Sequence, residues 1–265
     1  IDYLTLNQAY WMHFKHKMLS VELSEAQTTS LVERCRKENV TVNTAITLAF
    51  LAAQCAILGN KANPKIMVAA SVRDHLPKPA KEAFGFYASG VVMEHHYDKK
   101  TSFWENSREL HRKLASLYTN RILFKRIMNW IYLDPTIMES INFKMIGTLV
   151  PPDLPRYNKL SSFSKQKDVV TSLLKRQDMD IEKSMWGTAV TNLTRLDFPR
   201  IYGHLELDRL IMNPGGMFPL AMVNLVIGVV TCSGKLSLLI EHEENTIAST
   251  VAEKIKEKAL KFLLE

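Results

Sequence analysis

Residues 94–98 read Glu-His-His-Tyr-Asp. Two adjacent imidazoles with a carboxylate close behind are the ingredients of a general base with an acid partner, or of a metal site. The metal reading needs two further ligands, and none is spaced to supply them. His242-Glu243-Glu244 lacks the second histidine of an H-E-x-x-H helix and reads as the polar end of a hairpin. The plainer reading is that His95 and His96 end a strand. Successive side chains then point to opposite faces, one histidine inward and one outward. The three cysteines, Cys35, Cys55 and Cys232, form no C-x-x-C pair. Such a scattered, odd set reads as free thiols of a reducing, cytoplasmic compartment, with Cys35 and Cys55 as packing residues in helical patterns.

The chain has 265 residues, 46% of them hydrophobic and 23% charged. That suits a globular protein able to bury a core without disulfides or metals. The formal net charge of +7 reads either as a solvated, colloidally stable surface or as attraction to an anionic partner such as a phosphorylated cofactor, nucleic acid or an acidic carrier protein. The basic residues are dispersed, with no zinc-finger spacing or aromatic-basic repeat, which argues against nucleic acid. No apolar run is expected to reach the ~18–20 residues of a membrane span. The first residues show no signal-peptide layout and no initiator Met, so the chain is expected to begin within a longer polypeptide.

The elements that would position these residues are mixed. Ser24 with Gln27 forms a capping box opening a helix to Lys37. Residues 41–57 are apolar nearly all round, a buried helix capped by Thr41 and ended at Gly59-Asn60. Residues 65–72 read as a short buried strand and 84–96 as β-prone, broken by Gly85 and Gly90. Ser102 with Glu105 opens a helix to about Asn120, and helical spacing continues through Ile122, Phe124, Ile127, Trp130 and Ile131. Asp134-Pro135 starts another turn, and 150–155 (VPPDLP) breaks the chain. The polar stretch 156–184 reads as a loop with a short helix. Strands recur at 185–193, 204–212, 221–232 and 235–242, the last two joined by a Ser233-Gly234 turn. An amphipathic helix closes the chain over 246–265. There are no internal repeats.

This order of motifs carries a resemblance: Asn39-Val-Thr-Val-Asn43 before a buried helix, Ser71-Val-Arg73, Gly85-Phe-Tyr87, a helix opening Phe103-Trp104, Thr191-Asn-Leu193, Phe198-Pro199, Tyr202-Gly203, and Gly228-Val-Val-Thr-Cys-Ser-Gly-Lys-Leu236. From about Ser20 to the end the chain resembles the C-terminal half of the chloramphenicol-acetyltransferase-like superfamily, in its alcohol acetyltransferase and condensation-domain-like branch. The resemblance implies an α/β fold (an α+β sandwich) with a mixed, largely antiparallel sheet flanked by helices. Residues 1–19 would be a linker from a preceding N-terminal subdomain, and 20–265 one C-terminal subdomain.

The reaction implied is acyl transfer, acetyl above all, from a thioester to an alcohol. Acyl-CoA (acetyl-CoA) is the implied cosubstrate, with no permanently bound cofactor and no metal. A condensation-type module fed by a carrier-protein thioester, or a non-catalytic scaffold of the same fold, are the alternatives. The family's base lies in a His-His-x-x-x-Asp-Gly motif of the N-terminal half. Asp98 follows His96 by two residues rather than four, no Gly follows, and the segment lies after Ser-Val-Arg. The resemblance therefore puts the base on an N-terminal subdomain outside this chain and makes 1–265 inactive alone. Arg73 matches the arginine that partners the motif's Asp and would hold the two halves in register; the alternative is an exposed loop arginine beside Asp74. Asn192 matches a polar residue near the base, positioning the acceptor or the oxyanion, or else serves only as a turn former. Gly215-Gly216 would let backbone pass close to a ligand, or is a plain loop.

Overall fold

The computed structural model describes residues 15–78, 83–131, 157–168, 186–215 and 223–265, with residues 140, 143, 144 and 147. The regular elements are β1 (His16–Glu22), α1 (Glu25–Lys37), α2 (Val42–Leu58), β2 (Lys65–Ser71), β3 (Ala88–Glu94), α3 (Phe103–Leu117), α4 (Asn120–Ile131) and α5 (Tyr157–Lys165). They continue with β4 (Trp186–Leu196), β5 (Ile201–Tyr202), β6 (Leu205–Glu206), β7 (Val223–Cys232), β8 (Lys235–Glu243) and α6 (Ser249–Leu264). The expected turn at Asp134-Pro135 and the break at 150–155 lie outside the described residues.

Six strands form one mixed sheet in the order β1-β8-β7-β4-β2-β3. The central strands β2, β4 and β7 run parallel, and β1, β8 and β3 are antiparallel to their neighbours. The mixed sheet flanked by helices is the expected fold class. Parallel strands are covered on both faces and read as continuous apolar runs, and every residue of β7 from Val223 to Val230 is buried.

Local chemistry sets the helix starts. Ser24 Oγ accepts from the Gln27 N–H at 3.2 Å while the Gln27 side chain accepts from the Ser24 N–H at 3.0 Å. Ser102 and Glu105 reproduce this reciprocal box at α3. The helix α2 is apolar all round because it serves two cores. Ala45, Ile46, Ala49 and Phe50 pack with Leu225, Ile227 and Val229 of β7 and with Ile255 and Ala259 of α6. Leu48 and Leu51 pack with Ile66 and Val68 of β2 and with Leu110 and Leu114 of α3. By length and composition Val42–Lys61 would suffice to cross a membrane, contrary to the expectation that no run is long enough. In this fold Thr44 through Gln54 are instead buried against protein.

Buried polarity ties the two halves of the core together. Gln54, fully buried, donates to Thr188 Oγ1 on β4 at 2.6 Å and accepts from Asn224 on β7 at 3.5 Å. Glycine permits two close approaches. A Cβ at Gly187 would lie 2.0 Å from the Asn63 carbonyl oxygen, and one at Gly228 would lie 2.3 Å from that of Met212.

Three expectations about element boundaries change. Residues 16–19, assigned to the 1–19 linker, belong to β1, which pairs antiparallel with β8 from His16↔Glu243 to Glu22↔Ser237. Its outward edge leaves most side chains exposed, so no alternation marks it in the sequence. The expected strand 204–212 is only a two-residue pairing of β5 with β6, after which the chain lies over β7 at Gly228. The 102–120 helix ends at Leu117, and α4 begins at Asn120. The β7–β8 turn is as expected: Ser233 and Gly234 both take positive φ (50° and 77°), the geometry of a type I′ hairpin.

Candidate active site

The parallel strands β2 and β4 carry their C-terminal ends to the same edge of the sheet, where ligands of open α/β sheets gather. Arg73 follows β2 directly, and Asn192 lies near the end of β4. Both line one cleft of about 220 Å³, together with Ser71, Tyr87, Thr191 and Leu193.

Arg73 is not a loose loop side chain. Its guanidinium stands 4.1 Å from the centre of the Tyr87 ring and donates to the Ala83 carbonyl at 2.9 Å. Its backbone N–H donates to Ser71 Oγ at 3.2 Å. Stacking and a charge-directed hydrogen bond fix the planar group at the rim of the cleft. Phe84 and Phe86, beside that anchor, are exposed (106% and 85%), as is Leu193.

Asn192 has two local tasks. Its side-chain oxygen accepts from the Thr194 N–H at 2.7 Å, holding Thr194 at φ 62° where the β4–β7 register shifts. Its amide nitrogen donates to Asn43 Oδ1, at 3.4 Å, at the start of α2. The turn-forming task is present, and the amide also lies between two cavities. The second, of about 730 Å³, opens on the helical side of the sheet between α1, the start of α2 and α3.

The larger cavity contains a histidine that motif reading passed over. His111 Nδ1 lies 3.1 Å from Thr44 Oγ1, which is 2.9 Å from Thr41 Oγ1. Asn43, Asn192 and Tyr118 line the same space, and burial pushes the Tyr118 phenol above its ordinary range. His111 stands 67 residues from Thr44. The one signal was its place on the flank of α3, next to the core residues Leu110 and Leu114.

The opening cluster is elsewhere. His95 is buried (1% exposed) just past β3 and His96 is exposed, the in-and-out pair expected of a strand end. The His95 backbone N–H donates to the Pro64 carbonyl at 3.0 Å, while neither ring nitrogen has a hydrogen-bond partner among the described residues. Burial, then the nearby Lys113, lowers the imidazole pKa below its ordinary value, with Glu109 opposing. The Asp98 carboxylate accepts from the Lys100 N–H at 2.8 Å, and its backbone carbonyl accepts from the Asn106 amide on α3 at 2.9 Å. His242 is buried, with Nδ1 2.9 Å from the Ile247 carbonyl. Burial pushes the Cys35 thiol up to about 11 and raises that of Cys55, consistent with packing. Gly215 takes φ 62° after Asn213, whose side chain accepts from its N–H; Gly216 lies outside the described residues.

No family model matches the chain, and no curated protein does. Solved structures do match in fold, among them an epimerization domain and condensation domains of synthetases and polyketide synthases, each at 12% identity. Polyketide synthase associated protein 5 from Mycobacterium tuberculosis superposes with a TM-score of 0.56 at 14% identity, over 96% of this chain and 54% of that one. The epimerization domain from the third module of tyrocidine synthetase B gives 0.55 at 12%, over 94% and 47%. The condensation domain of the monacolin K polyketide synthase gives 0.55 at 12%, over 94% and 46%. The chain thus spans about half the length of these structures.

Proposed function

We propose that this chain is the C-terminal half of an acyltransferase that moves an acyl group, acetyl above all, from a thioester to an alcohol. A second half carrying His-His-x-x-x-Asp-Gly supplies the base. The observation that carries the reading is the shared cleft of Arg73 and Asn192 in a fold that spans half of its structural neighbours. In this reading Arg73 pairs with the motif's Asp and keeps that carboxylate ionised, an architectural role suited to a bidentate guanidinium. The Asn192 amide donates to the oxyanion or to the acceptor as charge develops. The incoming histidine takes the acceptor hydroxyl's proton as that hydroxyl oxygen attacks the thioester carbonyl, and collapse of the tetrahedral adduct expels the thiolate, which takes the proton from the histidine.

Exposed Leu193 lines the cleft, Phe84 and Phe86 are exposed next to Tyr87 in the sequence, and Phe198, Ile201, Tyr202 and Leu205 are exposed at or beside the β5–β6 ribbon. Apolar surface of this extent favours a covering partner, and the second half is the one we assign. The donor is acetyl-CoA or a related acyl-CoA, whose phosphates suit the net charge of +7. A carrier-protein thioester is the second reading, favoured by neighbours named as synthetase and polyketide synthase domains. The assay is thioester cleavage with 1–265 alone and with the second half added. No turnover alone and turnover on mixing are expected; clear turnover by 1–265 alone refutes the reading.

A further inference from the structure

The cavity of about 730 Å³ lies within the roughly 300–1,000 Å³ typical of small-ligand sites. Val32, Val42, Leu114, Ala115 and Leu236 contribute apolar wall. Hydrogen-bonding groups gather at one side of it: the His111–Thr44–Thr41 chain, and the Asn192 amide donating to Asn43. The charged groups among the described lining residues are Glu33, Arg36 and Arg195, all on exposed residues, and Arg195 is paired with Asp197 at 2.8 Å. Two cations thus accompany one carboxylate.

We infer that this cavity binds the acceptor, as a neutral alcohol with an apolar body, and selects against an ammonium. A hydroxyl both donates and accepts, so it can join an imidazole, a threonine and an asparagine amide whichever way their protons point. An ammonium only donates, and it would leave water for a space whose one lining carboxylate is exposed and outnumbered. His111 is the positioning residue for the hydroxyl. The word acceptor rests on the proposed acyl transfer; the binding preference does not.

The test is calorimetric titration of the full chain at pH 7 with 2-phenylethanol and with 2-phenylethylamine, two probes of matched shape. The alcohol is expected to bind and the ammonium to bind at least ~10-fold more weakly, the cost of an unpaired charge. Ala115→Trp fills the cavity from an exposed helix position and should abolish alcohol binding without unfolding the chain. His111→Phe should weaken it about 5-fold, the loss of one hydrogen bond. Equal binding of both probes, no binding of the alcohol, or unchanged binding in Ala115→Trp overturns the inference. Because no turnover is read, bound alcohol without acyl transfer on adding the second half counts against the proposed function alone.

Discussion

Arg73 and Asn192 line one cleft although they come from different strands, because β2 and β4 are parallel neighbours whose C-terminal ends share an edge of the sheet. One residue is held there by Tyr87 and Ala83, the other by Thr194 and Asn43.

For Asn192 the discriminating change is Asn192→Asp. A carboxylate can still accept from the Thr194 N–H, so the turn survives, but the amide donor is gone. As an oxyanion donor, its loss is expected to lower kcat of the assembled enzyme by roughly 10²–10³. Steady-state kinetics that match wild type would leave only the turn.

Arg73→Ala removes a charge-assisted bond and a stacked ring contact. On the proposed function, in which Arg73 pairs with a second half, assembly should weaken by about 10- to 100-fold, from the ~1.5–3 kcal/mol of a charged hydrogen bond. Affinity between the halves, measured by calorimetry, checks this; unchanged affinity would make Arg73 a local anchor only.

Gln54→Ala strands the buried Thr188 hydroxyl and the Asn224 amide. Urea denaturation should show about 1–3 kcal/mol of lost stability. Combining it with Thr188→Val should cost less than the sum of the two single changes, since the partners share one bond.

Gly228→Ala pushes a methyl group toward the Met212 carbonyl and the Pro214 ring. Overpacking of this kind costs about 1–3 kcal/mol, and the response should be loosening of the segment at 212–214. Faster amide exchange at Met212 and Asn213, with β7 still protected, is the expected pattern.

His95 predicts a pH dependence. Its folded pKa is depressed by burial, so the unfolded chain binds the proton more readily. Its contribution is therefore fully present above the ordinary histidine pKa of about 6.5 and is lost as pH falls through that value toward the folded pKa. Chemical denaturation between pH 7.5 and 5 should show stability falling on acidification, and His95→Leu should flatten that slope. An identical slope in the variant would assign the effect to other groups.

Much of the framework was legible because it is written locally. Capping boxes at Ser24 and Ser102, the all-apolar run of α2 and the Ser233-Gly234 turn depend on neighbours a few residues apart, and each forms as expected. The edge strand β1 carried no such mark. Its pairing is a backbone ladder with β8, far along the chain, and its mostly exposed side chains need no alternation. Residues 204–212 misled for the converse reason: the alternation is strand-like, but Leu205 and Ile211 are exposed, and it is Met212 at the end of the segment that lies over Gly228.

By itself, then, the sequence determined the helices and turns that are marked locally, and its spacing set Glu-His-His-Tyr-Asp apart from a His-His-x-x-x-Asp-Gly motif. Only the tertiary structure decided what meets what: that Arg73 and Asn192 share a cleft, that His95 is buried with both ring nitrogens unpartnered among the described residues, and that His111 reaches Thr44 across a cavity. Caps and turns are short-range hydrogen bonds whose partners lie within a few residues, whereas a site between elements exists only once parallel strands and crossing helices bring distant side chains within hydrogen-bond reach.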